Sequence, residues 1–171
     1  FSLTDRQLFI ELPKAPAAGK TLDISVAYVS TPQRGIYFTG PDEGYPDKPH
    51  QVWTQGQDTD NHHWFPCIDE PRGRLTSEVI ATVPAKWTAV SNGRLVKVTD
   101  APASPSPQPS PRGRGGERLP SPSQGEGPAQ GEGPAQGESS DFGQGFKTYH
   151  WVQDRPHAVY LITLAAAEFS H

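Results

Sequence analysis

The feature that most limits what this chain can fold into is a tract at residues 101–140 dominated by Pro, Ser, Gly, Gln and Glu. Within it, Gln124-Gly-Glu-Gly-Pro-Ala is followed at once by the same six residues from Gln130. Such a stretch cannot bury enough apolar surface to offset an ordering cost of roughly 1–2 kcal/mol per residue, so it is expected to be a low-complexity, disordered insertion. A hexamer present twice is too short to build a solenoid. The chain of 171 residues must therefore make one domain from residues 1–100 and 141–171. Strands on either side of the insertion have to meet, at a closure cost that grows only logarithmically with loop length.

The remaining segments read as short strands separated by turns. Leu8-Phe9-Ile10-Glu11-Leu12 is an apolar run, residues 13–20 are turn-rich, and residues 21–29 alternate apolar and polar with period two, predicting strand, loop, strand. Gly35-Ile36-Tyr37-Phe38-Thr39 is a further short strand; residues 40–50 carry three prolines and two glycines and are a loop. Gln51-Val52-Trp53-Thr54-Gln55 resumes the extended pattern, and residues 77–83 form a β-rich segment closed by Pro84. Residues 87–91 run into Asn92-Gly93, a strong hairpin signal because both positions tolerate positive φ, with residues 94–99 as the return strand. Beyond the tract, Phe146-Lys147-Thr148-Tyr149-His150-Trp151 alternates aromatic and polar residues, and residues 158–164 are an apolar strand. No segment has a helical period. About eight short strands predict an all-β fold, an antiparallel sandwich or curved sheet.

Charge and composition exclude several function classes. Net charge is −4 with both signs interspersed, so no basic face advertises nucleic acid. No apolar run approaches the roughly 20 residues of a membrane span. The single cysteine, Cys67, has no internal disulfide partner and no CxxC neighbour. It lies in Trp64-Phe65-Pro66-Cys67-Ile68, an apolar context that raises a thiol pKa and favours a packed core residue over a nucleophile. Metal candidates are His50, His62, His63, His150, His157 and His171, with Asp58, Asp60, Asp69 and Glu70. A helical zinc site needs histidines at i and i+4 with a glutamate between; here no histidine is followed by Glu, and adjacent His62 and His63 are expected on opposite faces of a strand. No metal is expected in this chain. Asp69 and Glu70, followed by Pro71, suit a turn with local hydrogen bonds better than paired acid catalysis.

Thr54-Gln55-Gly56-Gln57, then Trp64-Phe65-Pro66-Cys67-Ile68-Asp69-Glu70-Pro71, then Ser91-Asn92-Gly93 form a linked series. In that order they resemble the N-terminal domain of the aminopeptidase N and leukotriene-A hydrolase family of zinc peptidases, with its T-Q-x-[EQ], F-P-C-x-D-E-P and S-N-G segments. Tyr160-Leu161-Ile162-Thr163-Leu164 with Glu168-Phe169 looks like the strand near the end of that domain. The resemblance spans roughly residues 8–169 apart from the insertion. It implies a saddle-like antiparallel β-sandwich, incomplete at its N-terminal side and so with open edges prone to self-association. It also implies that this domain caps the active site of a thermolysin-like catalytic domain of the same protein.

By position, Gln57 matches the residue that contacts the free α-amino group of peptide substrates, and Gln55 its neighbour lining the specificity pocket. An ammonium has only donors, so a site that selects chain termini must present acceptors. Where many members carry Glu, Gln57 offers a neutral acceptor and a weaker hold on the amine. Without the resemblance, both glutamines read as ordinary polar residues at a strand end. The family's G-x-M-E-N motif needs a methionine, of which there are 0, and its H-E-x-x-H zinc motif is missing, so this segment is expected to be inactive alone. Zinc is expected in the catalytic domain. Two other classes stand beside this reading. One is a family-derived scaffold without catalysis; the other is a stand-alone binding sandwich using Trp53, Trp64, Trp87 and Trp151, although aromatics at strand positions are more often core.

Overall fold

The computed structural model describes residues 1–4, 7–101 and 145–169. Apart from Ala101, the tract at residues 101–140 lies outside the described residues. Among the described residues there are nine strands: β1 (Ser2–Leu3), β2 (Leu8–Phe9), β3 (Ile36–Thr39), β4 (Gln51–Thr54), β5 (Leu75–Pro84), β6 (Thr88–Ser91), β7 (Arg94–Ala101), β8 (Phe146–His157) and β9 (Leu164–Ala167). Two 3-10 turns, Asn61–His63 and Val159–Leu161, are the helical elements among the described residues. Every strand pair is antiparallel.

The strands form a four-stranded sheet in the order β3-β4-β9-β6, a three-stranded sheet in the order β5-β8-β7, and the small β1-β2 pair. The two larger sheets pack face to face as an all-β sandwich. Alternation along β5 aims Val79, Ala81 and Val83 inward, and β8 sends Tyr149 and Trp151 from the same sheet; Ala89, Val52, Leu164 and Ala166 meet them from the other. Ala89 and Ala166 are almost wholly buried, so the contact layer is thin. The polar tips of the two aromatics find partners across it: Tyr149 Oη donates to the Trp87 carbonyl at 3.0 Å and Trp151 Nε1 to the Ala89 carbonyl at 3.0 Å.

Three expectations change. Residues 21–29 alternate as a strand should, yet they form none and lie exposed, because a strand needs a neighbouring ladder and no described strand runs beside them. Residues 158–164 were expected as one strand; instead Val159–Leu161 is a 3-10 turn and the strand is Leu164–Ala167. The carbonyls of Val159, Leu161 and Thr163 are taken by the side chains of Asn61, Asn92 and Ser91, which replaces a strand ladder there. Asn92-Gly93 is the third case. It does not close a hairpin: β6 pairs with β9 and β7 pairs with β8, so the turn carries the chain from one sheet to the other.

The turn chemistry explains this switch. Gly93 has φ +84°, and a Cβ there would strike the Val152 carbonyl, so only glycine lets the chain pass against β8. Asn92 directs its amide to the stretch that leads into β9, with Nδ2 donating to the Leu161 carbonyl at 2.9 Å and Oδ1 accepting from the Thr163 amide at 2.7 Å. The loop at residues 40–50 is ordered. The Asp42 carboxylate accepts from the Gly44 and Tyr45 amides at 3.0 and 2.9 Å and from Lys48 Nζ at 3.1 Å. The hydrogen bond from Lys48 is the main influence holding that carboxyl below the usual range.

Replacing Gly93 with Ala combines strained φ with a backbone clash. Urea unfolding is expected to show a loss of roughly 1–3 kcal/mol with an unchanged denaturant slope.

Candidate functional site

β4 ends at Thr54, and the chain that follows is pinned on both sides to the strands that flank β4 in its sheet, β9 and β3. Thr54 Oγ1 accepts from the Leu164 amide at 2.8 Å and donates to Thr163 Oγ1 at 3.1 Å, while Ser91 Oγ donates to the Thr163 carbonyl at 2.6 Å. Thr163 thus joins the start of the T-Q-G-Q segment to the S-N-G segment, although these positions are far apart in sequence. The Gln55 amide donates to the Gly35 carbonyl at 2.9 Å, tying the next residue to β3. Gln55 and Gln57 are exposed, and Gly56 between them is buried.

Asn61 is what Gly56 is buried against. A Cβ on Gly56 would meet the Asn61 amide on Oδ1, with Cγ at 2.7 Å and Nδ2 at 2.8 Å. Asn61 is 0% exposed, and a buried amide needs partners to offset its desolvation. It has them: Nδ2 donates to the Val159 carbonyl at 2.6 Å, and Oδ1 accepts from Trp64 Nε1 at 2.9 Å. The Asp60 amide donates to the Gly56 carbonyl at 3.0 Å and closes the loop. Asp60 also lies against Gly35, whose φ of +81° and absent Cβ make room for the Asp60 carbonyl. The Arg34–Asp60 ion pair at 3.4 Å is exposed on its arginine side and adds little.

Downstream, Asp69 folds back on the 3-10 turn. Its Oδ2 accepts from the His62 amide at 2.9 Å and lies 2.9 Å from His62 Nδ1. Since a carboxylate accepts, Nδ1 is the donor in this contact. The Asp69 side chain is only 7% exposed. Its turn-forming role therefore includes an anchor, while exposed Glu70 donates its amide to the Ile68 carbonyl at 2.9 Å. His62 and His63 do not point to opposite faces of a strand. In the 3-10 turn their rings approach to 4.1 Å between centroids, tilted by 36°.

The other metal candidates are dispersed. His150 pairs with Glu78 at 2.5 Å on β5, His157 Nε2 lies 3.3 Å from Ser77 Oγ, and His171 is outside the described residues. Among the described residues no group of three or more His, Cys, Asp or Glu side chains is arranged to hold a metal, so the donors present do not fit a zinc site. Of the aromatics, Trp87 and Trp151 pack on the core, whereas Trp53 is 41% exposed and stacks on Tyr37 at 4.4 Å. The resemblance names Gln55 and Gln57 as candidates and does not name Asn61. The available signal was Gly56, a glycine inside a motif with no need for a turn, which marks close approach by another group.

The Peptidase M1 N-terminal domain family matches residues 2–105. Aminopeptidase B of Rattus norvegicus is 30% identical over 90 residues, which cover 53% of this chain and 14% of that protein. Aminopeptidase B of Homo sapiens is 29% identical over 90 residues, with the same coverage of 53% and 14%. Aminopeptidase RNPEPL1 of Mus musculus is 29% identical over 77 residues, 45% of this chain and 11% of that protein. The match therefore spans about a seventh of the length of the first two relatives, from the 14% coverage.

Cys67 sits half-buried beside this loop, not in the central core. Burial, and secondarily the nearby charge of Asp69, pushes its thiol up to about 12. Tyr28, whose hydroxyl donates to the Trp64 carbonyl at 2.9 Å, is raised as well, by burial and then by Cys67. At pH 8 the thiolate is scarce, and its higher intrinsic nucleophilicity recovers about half of the logarithmic deficit. Iodoacetamide alkylation of Cys67 at pH 8 is expected to run roughly 50-fold slower than that of an ordinary thiol, with no inflection in rate between about pH 7 and 10.

Proposed function

Because this chain belongs to the Peptidase M1 N-terminal domain family, we propose that it is the N-terminal β-domain of a longer zinc metallo-aminopeptidase. It caps the active site of a catalytic domain in the same polypeptide and presents Gln55 and Gln57 to the free α-amino end of peptide substrates. The observation that carries this reading is the placement of the two glutamines: both exposed, on either side of a glycine clamped from below by Asn61. Zinc belongs to the catalytic domain, where it supplies the Lewis acid for hydrolysis, and no step of that chemistry is assigned to residues of this chain.

The chemistry left to this chain is recognition. Gln57 Oε1 accepts a hydrogen bond from the substrate ammonium, and its amide holds no charge that would attract other cations from solution. Rigid support matters as much as the acceptor. An acceptor on a loose loop loses ordering entropy on every binding event, whereas one held by Thr54, Gly56 and Asn61 is already in place. A hydrogen bond to a charged group contributes roughly 1.5–3 kcal/mol, enough to decide terminal selectivity.

In the full-length protein, Gln57→Ala is expected to raise KM for aminoacyl-arylamides roughly 10- to 100-fold, with no change toward N-acetylated substrates. Gln57→Glu is expected to lower KM by supplying a charge-assisted acceptor. Chelation is expected to abolish activity and added zinc to restore it. A full-length protein without arylamide hydrolysis, or one whose KM ignores Gln57→Ala, would contradict the assignment and favour a non-catalytic scaffold.

A further inference from the structure

The geometry points to Asn61 as the positioning residue of the amine-recognition loop: its buried amide plane sets where Gly56 lies and so how Gln55 and Gln57 are presented. This inference rests on the substrate role proposed for Gln57. It concerns a residue that touches no substrate itself.

Asn61 has one workable amide orientation. Turning the amide over would set its NH2 against the Trp64 Nε1 donor and its oxygen against the Val159 carbonyl, losing both hydrogen bonds at a site with 0% exposure. With the orientation fixed, Oδ1 is the atom nearest the missing Gly56 side chain. The loop cannot move inward without striking it. Outward movement breaks the 3.0 Å bond from the Asp60 amide to the Gly56 carbonyl and the 2.9 Å bond from the Gln55 amide to the Gly35 carbonyl. Gly56 is thus held between a stop and two tethers, and Gln55 and Gln57 are its immediate chain neighbours. The stop itself is anchored on Val159, which is 1% exposed, so the loop takes its position from the sandwich interior. Misplacement of a recognition group by about 1 Å is enough to cost large factors in binding and rate.

The test uses the full-length protein with free-amine and N-acetylated aminoacyl-arylamides, measuring KM and kcat separately and the melting temperature of each variant. Gln57→Ala is characterised first. If it leaves KM unchanged, the substrate role of Gln57 fails and this inference falls with it. If Gln57→Ala raises KM, Asn61→Ala is expected to raise KM for the free-amine substrate about tenfold with a smaller change in kcat. That effect is expected to vanish in the Gln57→Ala background while the drop in melting temperature persists. Gly56→Ala perturbs the same contact from the loop side and is expected to show the same background dependence, so it carries the test if Asn61→Ala fails to accumulate as folded protein. An Asn61 or Gly56 effect on KM of equal size with and without Gln57 would show general destabilisation and overturn the assignment. So would unchanged KM in a folded Asn61→Ala variant when Gln57→Ala has a clear effect.

Discussion

Two hydrogen bonds cross between the packed sheets, Tyr149 to the Trp87 carbonyl and Trp151 to the Ala89 carbonyl. The aromatic rings fill the layer beside small residues, Ala81, Ala89 and Ala166. Larger side chains at the alanines would push the sheets apart and withdraw both donors from their acceptors, and a buried donor without an acceptor costs about 1–3 kcal/mol. Packing and hydrogen bonding therefore specify the same sheet separation. The separation matters for the site because β4 and β6 belong to one sheet while β8, which fixes Gly93, belongs to the other.

The segments that carry the family likeness are brought together by side chains bonding to backbone. Thr54, Ser91, Asn92 and Asn61 all address the stretch from Val159 to Leu164. That stretch is a 3-10 turn followed by extended chain; Asn61, Asn92 and Ser91 donate to its Val159, Leu161 and Thr163 carbonyls, while Thr54 Oγ1 accepts from its Leu164 amide. Such groups have to be paired when buried, so irregular backbone here and the polar residues of two distant motifs, with Asn61 between them, are one arrangement. The result is a loop whose tip faces solvent and whose base is as constrained as a strand.

Much of this was legible locally. The β-rich run ending at Pro84, the short strands around Tyr37 and Trp53, and the aromatic alternation from Phe146 all appear as strands because period-two patterning records which face is buried. What the pattern does not record is the partner. Residues 21–29 alternate as well as any strand here and have no described ladder beside them, and Asn92-Gly93 has the local chemistry of a hairpin while linking strands of different sheets. In both cases the deciding contacts are non-local: absent neighbours in one, the Val152 carbonyl and the Leu161–Thr163 backbone in the other. The candidate glutamines were legible by likeness to known sequences, whereas Asn61 was marked only indirectly, through Gly56, since a lone asparagine gives no sign that it will be the most enclosed polar residue among those described.

One pairing reaches further than the site. The ladder between β7 and β8 runs to Ala101 opposite Phe146, so the chain leaves the sheet and re-enters it across a single rung. The mouth of that connection is closed by the sheet itself, which uncouples the spacing of its two ends from whatever length of polypeptide lies between. Evolution can lengthen, shorten or rewrite the sequence there without altering a strand register. The same rung offers an engineer a graft point for a reporter or an affinity handle.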